Sequence, residues 1–240
     1  MKKFLSKTAL LACLAFPLAA SAFVLGGTTP GKWGSPTFGT GATITYSFMP
    51  TGTSCVAEFA GCTITALSGF MPVGFQAQVV AALNAWSAVA NLTFVLVPDD
   101  GAAFNAPTTS GDFRFGGHTF DGPSGTLAHG FFPPVNGNTA AGDMHYDIAD
   151  AWKIGFGGPG IDIFQVTAHE VGHALGLDHT AIPSSLMNAF YSEAFSGPQA
   201  DDIAGIQFIY GLPVPIPEPA SWAMLGLGLA AVMVRRRRTH

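Results

Sequence analysis

The chain has 240 residues, of which 48% are hydrophobic and 10% are charged, and its formal net charge is −5. This length suits one domain of ordinary size plus processing segments. Between residues 23 and 211 only three residues are basic against fourteen acidic ones, a net charge of −11. Such acidity argues against nucleic-acid binding, which needs a basic surface, and suits an exported protein that binds calcium through carboxylates.

Residues 1–22 have the composition of a secretory signal peptide. Three lysines precede an apolar run at 9–16, and Ala20-Ser21-Ala22 provides the small residues of a cleavage site. Cleavage there makes Phe23 the first residue of the exported chain. The alternative is an uncleaved N-terminal anchor.

The first part of the exported chain is predicted to contain three strands and one helix. Alternation of apolar residues predicts a strand at 42–48, a β-rich run predicts another at 92–97, and a short strand follows at 112–115. Apolar residues at helical spacing predict the helix, at 75–90.

Two cysteines, Cys55 and Cys62, lie in a Gly- and Thr-rich loop after the first strand. In an exported protein they are expected to form a disulfide that closes a small loop. The alternatives are two free thiols or one thiol that caps a zinc ion.

Three loop carboxylates surround the next two strands, which are predicted at 126–132 and 143–147. Asp121 lies in a Gly-rich turn before the first of these strands, whereas Asp147 and Asp150 lie at and beyond the end of the second. With carbonyl oxygens of the turn they can enclose a hard cation such as calcium, which takes six to eight oxygen ligands. The alternative is a set of solvated loop carboxylates.

A predicted helix at 163–175 carries the most specific motif of the chain. Four residues separate His169 from His173, so both lie on one helix face, with Glu170 beside them. On a continuing helix His179 would be rotated by about 240° from His173, so the helix must end first, and Gly176 suits a left-handed C-terminal turn. Three neutral imidazoles plus water form the ligand set of a catalytic zinc. The alternatives are incidental histidines on an amphipathic helix and an inactive relative with an intact motif.

A last helix is predicted at 199–210. Asp201 and Asp202 occupy its first turn, where carboxylates interact favourably with the helix dipole, and Gly211 ends it.

The C-terminal segments have the composition of a membrane-targeting signal. A Pro-rich linker at 212–219 precedes an apolar segment at 220–234 and a basic tail at 235–240. Fifteen helical residues span about 22 Å, less than the roughly 30 Å of a bilayer core, but flanking arginines can extend a short transmembrane segment. The positive-inside rule places the arginines in the cytoplasm and the domain outside. The alternative is a core helix with a basic tail.

Residues 32–211 resemble the matrixin branch of the metzincin zinc proteases. The eleven residues from His169 to His179 match the metzincin motif H-E-x-x-H-x-x-G-x-x-H. Shorter similarities are Trp86-Ser87, Phe120-Asp121-Gly122, Leu127-Ala128-His129 and the segments 142–147 and 201–207. The resemblance implies an α+β fold of the α/β/α metzincin type. Its sheet is expected to be mixed, twisted and mostly parallel, with an antiparallel edge strand, an active-site helix and a C-terminal helix.

The resemblance also implies roles for residues near the motif. Met187 matches the methionine of the Met-turn beneath the zinc ligands, and Asp202 is expected to support that turn. Tyr191 matches a tyrosine of the primary specificity pocket, and Ala128 lies on the edge strand that pairs with extended substrate. Ala189 stands where the family often has a proline, which alters the expected pocket shape.

Two further metal sites follow from the resemblance. It implies a structural calcium bound by three carboxylates and three backbone oxygens, those of Asp121, Asp147, Asp150, Gly122, Ser124 and Thr126. For a second, structural zinc, His129 and His145 match two ligands, but the family's other two ligands, a histidine and an aspartate, have no counterpart at their usual places. His118 and Asp112 are the available substitutes, and the sequence leaves this zinc without a complete ligand set.

The two ends of the chain differ from those of the family. An inhibitory pro-segment with its cysteine is not expected, because the first predicted strand follows soon after the predicted cleavage point. The C-terminus resembles a PEP-CTERM sorting signal, with Pro217, Glu218 and Pro219 before the apolar span and the arginines. This implies processing by an exosortase-type membrane enzyme in a Gram-negative bacterium. The chain is expected to be held transiently in the inner membrane and then to reach the cell surface, the extracellular matrix or the medium.

The sequence therefore predicts an exported, monomeric zinc endopeptidase that acts on protein or peptide substrates, with Glu170 as general base. One alternative is a cell-surface or matrix binding protein that keeps the metalloprotease fold without cutting. Another is a membrane-anchored structural protein that retains its C-terminal tail.

Overall fold

The computed structural model describes residues 23–29, 31–134 and 140–214. The predicted signal peptide at 1–22, the Pro217-Glu218-Pro219 motif, the apolar segment 220–234 and the tail 235–240 lie outside these ranges. Within them, no helix is both long enough and apolar enough to cross a bilayer.

Three α-helices and nine strands occupy the described part of the chain. In chain order they are β1 (Val24–Leu25), β2 (Ala42–Phe48), α1 (Phe75–Ser87), β3 (Leu92–Leu96), β4 (Phe113–His118), β5 (Ala128–Gly130), β6 (Asp143–Asp147), β7 (Trp152–Lys153), β8 (Ile161–Asp162), α2 (Ile163–Ala174), β9 (Leu177–Asp178) and α3 (Ala200–Tyr210).

The main sheet has five strands in the order β3-β2-β4-β6-β5. The first four are parallel, and β5 runs antiparallel to β6 at the edge. This arrangement confirms the predicted fold class, a mostly parallel mixed sheet with an antiparallel edge strand. The position of β5 at the end of the order leaves one side of this short strand without a partner strand in the described ranges.

One hydrophobic core joins the sheet to all three helices. Phe113, Phe115 and Tyr146 of the sheet are fully buried, and they share the core with Trp86 of α1 and Ile209 of α3. The indole of Trp86 donates a hydrogen bond of 2.9 Å to the carbonyl of Ala168, in the middle of α2. Burial of this large ring fixes α2, and hence the histidines that it carries, against the rest of the domain.

The structure shortens several predicted elements and adds short ones. The helix predicted at 75–90 ends at Ser87, because the amides of Val89 and Ala90 both turn back to the carbonyl of Trp86. The strand predicted at 126–132 is confined to β5, because the amide and hydroxyl of Thr126 are bound by Asp121. The pairs β1–β9 and β7–β8 contain two residues per strand, too few to produce a periodic signal in sequence.

The central strand of the sheet, β4, carries a buried arginine. Arg114 on β4 is 1% exposed and donates hydrogen bonds of 2.9 Å to both carboxylate oxygens of Asp99 and to the carbonyl of Ala102. A second buried carboxylate, Asp143, lies 4.0 Å from the guanidinium. Burial raises the pKa of Asp143 well above its ordinary value, although the charge of Arg114 opposes this shift.

We predict that Arg114→Met destabilises the domain by about 3–5 kcal/mol, since it leaves two buried carboxylates without their cation. Lys153→Met is the matched control, because Lys153 forms an ion pair of 2.7 Å with Glu193 at the surface, where solvent screens the charges. Urea denaturation of both variants measures the free energies of unfolding. Equal losses in the two variants would contradict the structural role of Arg114.

Candidate active site

Helix α2 begins and ends at residues that fix its length. The side chain of Asp162 caps its N-terminus by accepting a hydrogen bond of 2.8 Å from the amide of Gln165. At the other end, Gly176 has a φ of +109°, and a Cβ at this position would collide with the carbonyl oxygen of Gly31. The chain therefore leaves the helix directly after the second histidine of the motif, as the sequence predicts.

The three histidines of the motif meet at one point. The Nε2 atoms of His169, His173 and His179 lie 3.1 Å apart in all three pairs. The Nδ1 atoms of His169 and His173 are 2.7 Å and 2.8 Å from the carbonyl oxygens of Leu186 and Leu177. A carbonyl only accepts, so Nδ1 carries the proton in these two rings and their Nε2 atoms present lone pairs.

Lone pairs that face one another at this distance repel unless a cation lies between them. Ligand atoms at 2.0–2.1 Å from a tetrahedral zinc ion lie about 3.3 Å from one another, close to the observed separation. Burial, together with the neighbouring His173, lowers the pKa of His169 to about 3. Burial lowers that of His173 to about 4. Both rings are therefore neutral near pH 7, the form that binds a metal.

Glu170 lies beside the three histidines and is buried. Burial raises the pKa of its carboxyl to about 8, although the amide of Gly130 on β5 donates a hydrogen bond to it and opposes the shift. Its Oε2 atom is buried without a hydrogen-bond partner in the described ranges. A divalent cation among the neighbouring imidazoles would favour the ionised form, and the unpartnered oxygen suits a carboxylate that takes a proton from water.

The predicted Met-turn lies directly beneath the histidines. Met187 is 2% exposed, and a Cβ added at Gly172 of α2 would collide with its Sδ atom, so the glycine permits this close contact. The carboxylate of Asp202 on α3 accepts hydrogen bonds from the amides of Leu186 at 2.7 Å and Met187 at 3.1 Å, and also from the hydroxyl of Ser185. Leu186 in turn supplies the carbonyl that orients His169, so α3 supports this histidine through the turn.

A cleft of about 870 Å³ runs past the histidines. Ala128 and Gly130 of β5 line one side of it, and the segment containing Ala189 and Tyr191 lines the other. The hydroxyl of Tyr191 accepts a hydrogen bond of 2.9 Å from the amide of Asp162 and donates one of 2.6 Å to Glu193. Tyr191 is thereby tied to the N-terminus of α2.

The residues predicted for calcium lie in two neighbouring segments. The carboxylate of Asp121 accepts hydrogen bonds from Thr126, within the turn that also contains Gly122, and the amide of Ser124 donates one of 2.7 Å to Asp150. One carboxylate oxygen of Asp150 and one of Asp147 are buried without hydrogen-bond partners in the described ranges. Burial raises the pKa of Asp150, and the charge of Asp147 adds to this shift. Such unpartnered oxygens suit the ligand chemistry of a hard cation.

A second cluster forms from His118, His129 and His145, the histidines considered for another zinc. Their ring nitrogens converge with the carboxylate of Glu58, a residue that the sequence did not single out. Asp112, the other suggested substitute, lies elsewhere, since its carboxylate accepts hydrogen bonds from the amide and hydroxyl of Thr45. Glu58 is the only acidic residue between the two cysteines, and Cys55 and Cys62 form a disulfide. Its position between the two cysteines was the one feature of the sequence that could have pointed to Glu58 as a member of this cluster.

Two family profiles match the chain. The Matrixin profile matches residues 67–211, and the profile of the PEP-CTERM protein-sorting motif matches residues 215–238. The first match contains the three-histidine motif, Met187, Tyr191 and α3. The second covers the Pro-Glu-Pro motif, the apolar segment and the four arginines.

Similar proteins occur in animals and in bacteria. Stromelysin-3 of Xenopus laevis is 43% identical over 150 residues, which cover 62% of this chain and 30% of that protein. Stromelysin-3 of Homo sapiens is 42% identical over 139 residues, or 56% of this chain and 27% of that protein. Karilysin of Tannerella forsythia is 36% identical over 141 residues, or 59% of this chain and 29% of that protein. The chain thus spans less than a third of the length of these relatives.

We predict that Gly176→Ala destabilises the domain and weakens zinc binding, because the new Cβ strains the backbone and displaces the segment that carries His179. Gly52→Ala is the matched control, since Gly52 also has a positive φ, +95°, but open space around it. A left-handed residue with a Cβ costs about 1–2 kcal/mol, so the control reports that strain alone. Urea denaturation and zinc content are measured for both. If Gly176→Ala and Gly52→Ala both hold as much zinc as the wild type, the turn at Gly176 does not position His179.

Proposed function

Since the chain belongs to the Matrixin family, we propose that it is an exported zinc-dependent endopeptidase that hydrolyses peptide bonds in extended protein substrates. One observation carries the proposal. The Nε2 atoms of three imidazoles converge at 3.1 Å beside the unpartnered carboxylate oxygen of Glu170, in a cleft bordered by an open sheet edge.

His169, His173 and His179 would hold the zinc ion. When bound, zinc lowers the pKa of a coordinated water to about 7 and polarises a carbonyl group as a Lewis acid. The carbonyl groups of Leu186 and Leu177 keep two of the rings in the required tautomer and orientation.

Glu170 acts as the general base. The amide of Gly130 holds its carboxyl, and the other oxygen remains available to accept a proton from the attacking water. The water oxygen bonds to the scissile carbonyl carbon. Glu170 then donates the same proton to the leaving amine as the peptide C–N bond breaks.

Substrate is proposed to bind as an extended strand along β5. This strand lies at the end of the sheet order, and both Ala128 and Gly130 line the cleft. Backbone hydrogen bonds to such an edge fix the direction of a peptide with little dependence on its sequence. Side-chain preference then depends on the opposite wall, where Tyr191 is fixed by its bonds to Asp162 and Glu193.

The C-terminal motif extends the proposal to export. The PEP-CTERM match at 215–238 is the class of signal that an exosortase-type enzyme processes in Gram-negative bacteria. We propose that processing releases the catalytic domain to the cell surface, the extracellular matrix or the medium.

Calcium is proposed as a structural ion. Asp121, Asp147 and Asp150, with backbone oxygens of the 122–126 turn, would hold it, and the two unpartnered carboxylate oxygens support this assignment. The ion would join this turn, which leads into β5, to the segment that follows β6.

We predict that Glu170→Ala retains zinc but loses peptide cleavage by about 10²–10⁴-fold in kcat/KM, the usual contribution of a general base. The experiment compares cleavage of a denatured protein, with and without a zinc chelator, and zinc content by mass spectrometry. Asp100→Asn, in an exposed loop away from the cleft, is the control variant and should cleave as the wild type does.

Two outcomes would count against this function. Zinc-loaded Glu170→Ala that cleaves at the wild-type rate would exclude the proposed base. Wild-type protein without chelator-sensitive cleavage of any denatured substrate would instead favour the non-proteolytic binding protein.

We predict that calcium raises the melting temperature of zinc-loaded wild-type protein and has little effect on Asp150→Asn. Calcium at 100 times its dissociation constant should stabilise the native state by about 2.7 kcal/mol. Thermal melts at constant zinc concentration measure the shift, with Asp100→Asn as the control carboxylate. An equal calcium-dependent shift in Asp150→Asn would exclude this site.

A further inference from the structure

Four side chains from four separate segments meet at the cluster around Glu58. One oxygen of Glu58, Oε1, lies 3.1 Å from Nε2 of His118 and 3.1 Å from Nε2 of His129. The other, Oε2, lies 2.9 Å from Nδ1 of His145, and that nitrogen is 3.3 Å from Nε2 of His129. These four separations are close to the roughly 3.3 Å between ligands of a tetrahedral zinc ion. All four candidate ligand atoms lie within 4.8 Å of one another.

Hydrogen bonding among these groups alone leaves a conflict at His118. Its Nδ1 is 3.1 Å from the carbonyl oxygen of Thr119 and must donate to it, so the neutral ring presents a lone pair at Nε2. That lone pair faces the carboxylate of Glu58, another acceptor. A cation between the two groups removes this repulsion.

The surroundings of the cluster favour a bound ion over hydrated side chains. His145 is fully buried, so its ring is shielded from solvent. Phe120 stacks on His129 with ring centroids 4.7 Å apart, and Phe59 and Phe104 pack edge-on against His118 and His145. Aromatic rings thus cover part of the cluster, while the side chain of His129 remains 32% exposed.

The disulfide determines where Glu58 lies. Cys55 and Cys62 are almost fully buried, and the amide of Glu58 donates a hydrogen bond of 2.9 Å to the carbonyl of Cys55. The disulfide and this hydrogen bond therefore hold the backbone of Glu58 in place. Without the covalent link, a Gly- and Thr-rich segment would have to be ordered each time the ion binds.

We propose that Glu58, presented by the disulfide-closed loop, is the fourth ligand of a structural zinc site formed with His118, His129 and His145. Three imidazoles and one carboxylate form a closed, four-ligand set, which is typical of a structural ion and leaves no position for substrate. The site shares no ligand with the three-histidine centre, and the proposal does not depend on proteolytic activity. It assigns His118 and Glu58 to the two ligand positions that the family fills from elsewhere, and it makes zinc retention depend on the disulfide.

The test is the number of zinc ions held by the full chain after exchange against a zinc-buffered solution, measured by mass spectrometry. Wild-type protein should hold two, and Glu58→Gln, which preserves side-chain size, should hold one. His173→Ala should also hold one, and combined with Glu58→Gln it should hold none. Asp100→Asn, an exposed carboxylate elsewhere, is the control and should hold two.

Cobalt(II) substitution gives a second readout that does not depend on activity. Wild-type protein should bind two equivalents with visible spectra typical of tetrahedral sites, and Glu58→Gln should lose one of them while its circular dichroism stays unchanged. The Cys55→Ser/Cys62→Ser variant should bind this second cobalt ion with an affinity lower by about 10–100-fold, as expected when a group that orients a ligand is removed. Wild-type protein with a single zinc, or Glu58→Gln with two zinc ions at unchanged affinity, would overturn the proposal.

Discussion

The central constraint in this protein is the approach of three imidazoles to within 3.1 Å of one another through their Nε2 atoms, two of which, in His169 and His173, present lone pairs. Isolated rings would not adopt this arrangement, because acceptors repel at short range. The fold enforces it by using the opposite nitrogens of His169 and His173 as donors to backbone carbonyls. These hydrogen bonds hold both rings in one tautomer and one orientation, which reduces the cost of ordering the site.

Much of the remaining structure supports that arrangement. The capped start of α2 and the left-handed Gly176 set the length of the helix, so that two histidines precede its end and the third follows the turn. Asp202 holds the backbone beneath the site, and the indole of Trp86 binds the middle of α2. The edge strand β5 contributes twice. Gly130 contacts Glu170 beside His169, His173 and His179, and His129 belongs to the cluster around Glu58.

The strands β2 and β6 have the bounds predicted from the sequence, and α2 and α3 begin and end within one residue of their predicted bounds. These elements have either strong periodicity or clear capping residues. The two-residue strands were not predicted, because their pairing depends on other backbone segments rather than on a pattern of side chains. The strand predicted at 126–132 was too long, since Asp121 competes for the amide of Thr126.

The amino-acid sequence by itself determined the three-histidine motif, Glu170 and the helix end at Gly176, because these residues lie within eleven positions whose spacing is governed by local helix geometry. Tertiary structure alone decided the composition of the second cluster. Glu58 and His145 are 87 positions apart, and their meeting depends on strand order and on a disulfide-closed loop. Local periodicity contains no information about such distances, so the sequence indicated His129 and His145 by resemblance, offered His118 as a substitute and left Glu58 unrecognised. The folded chain brought all four side chains together.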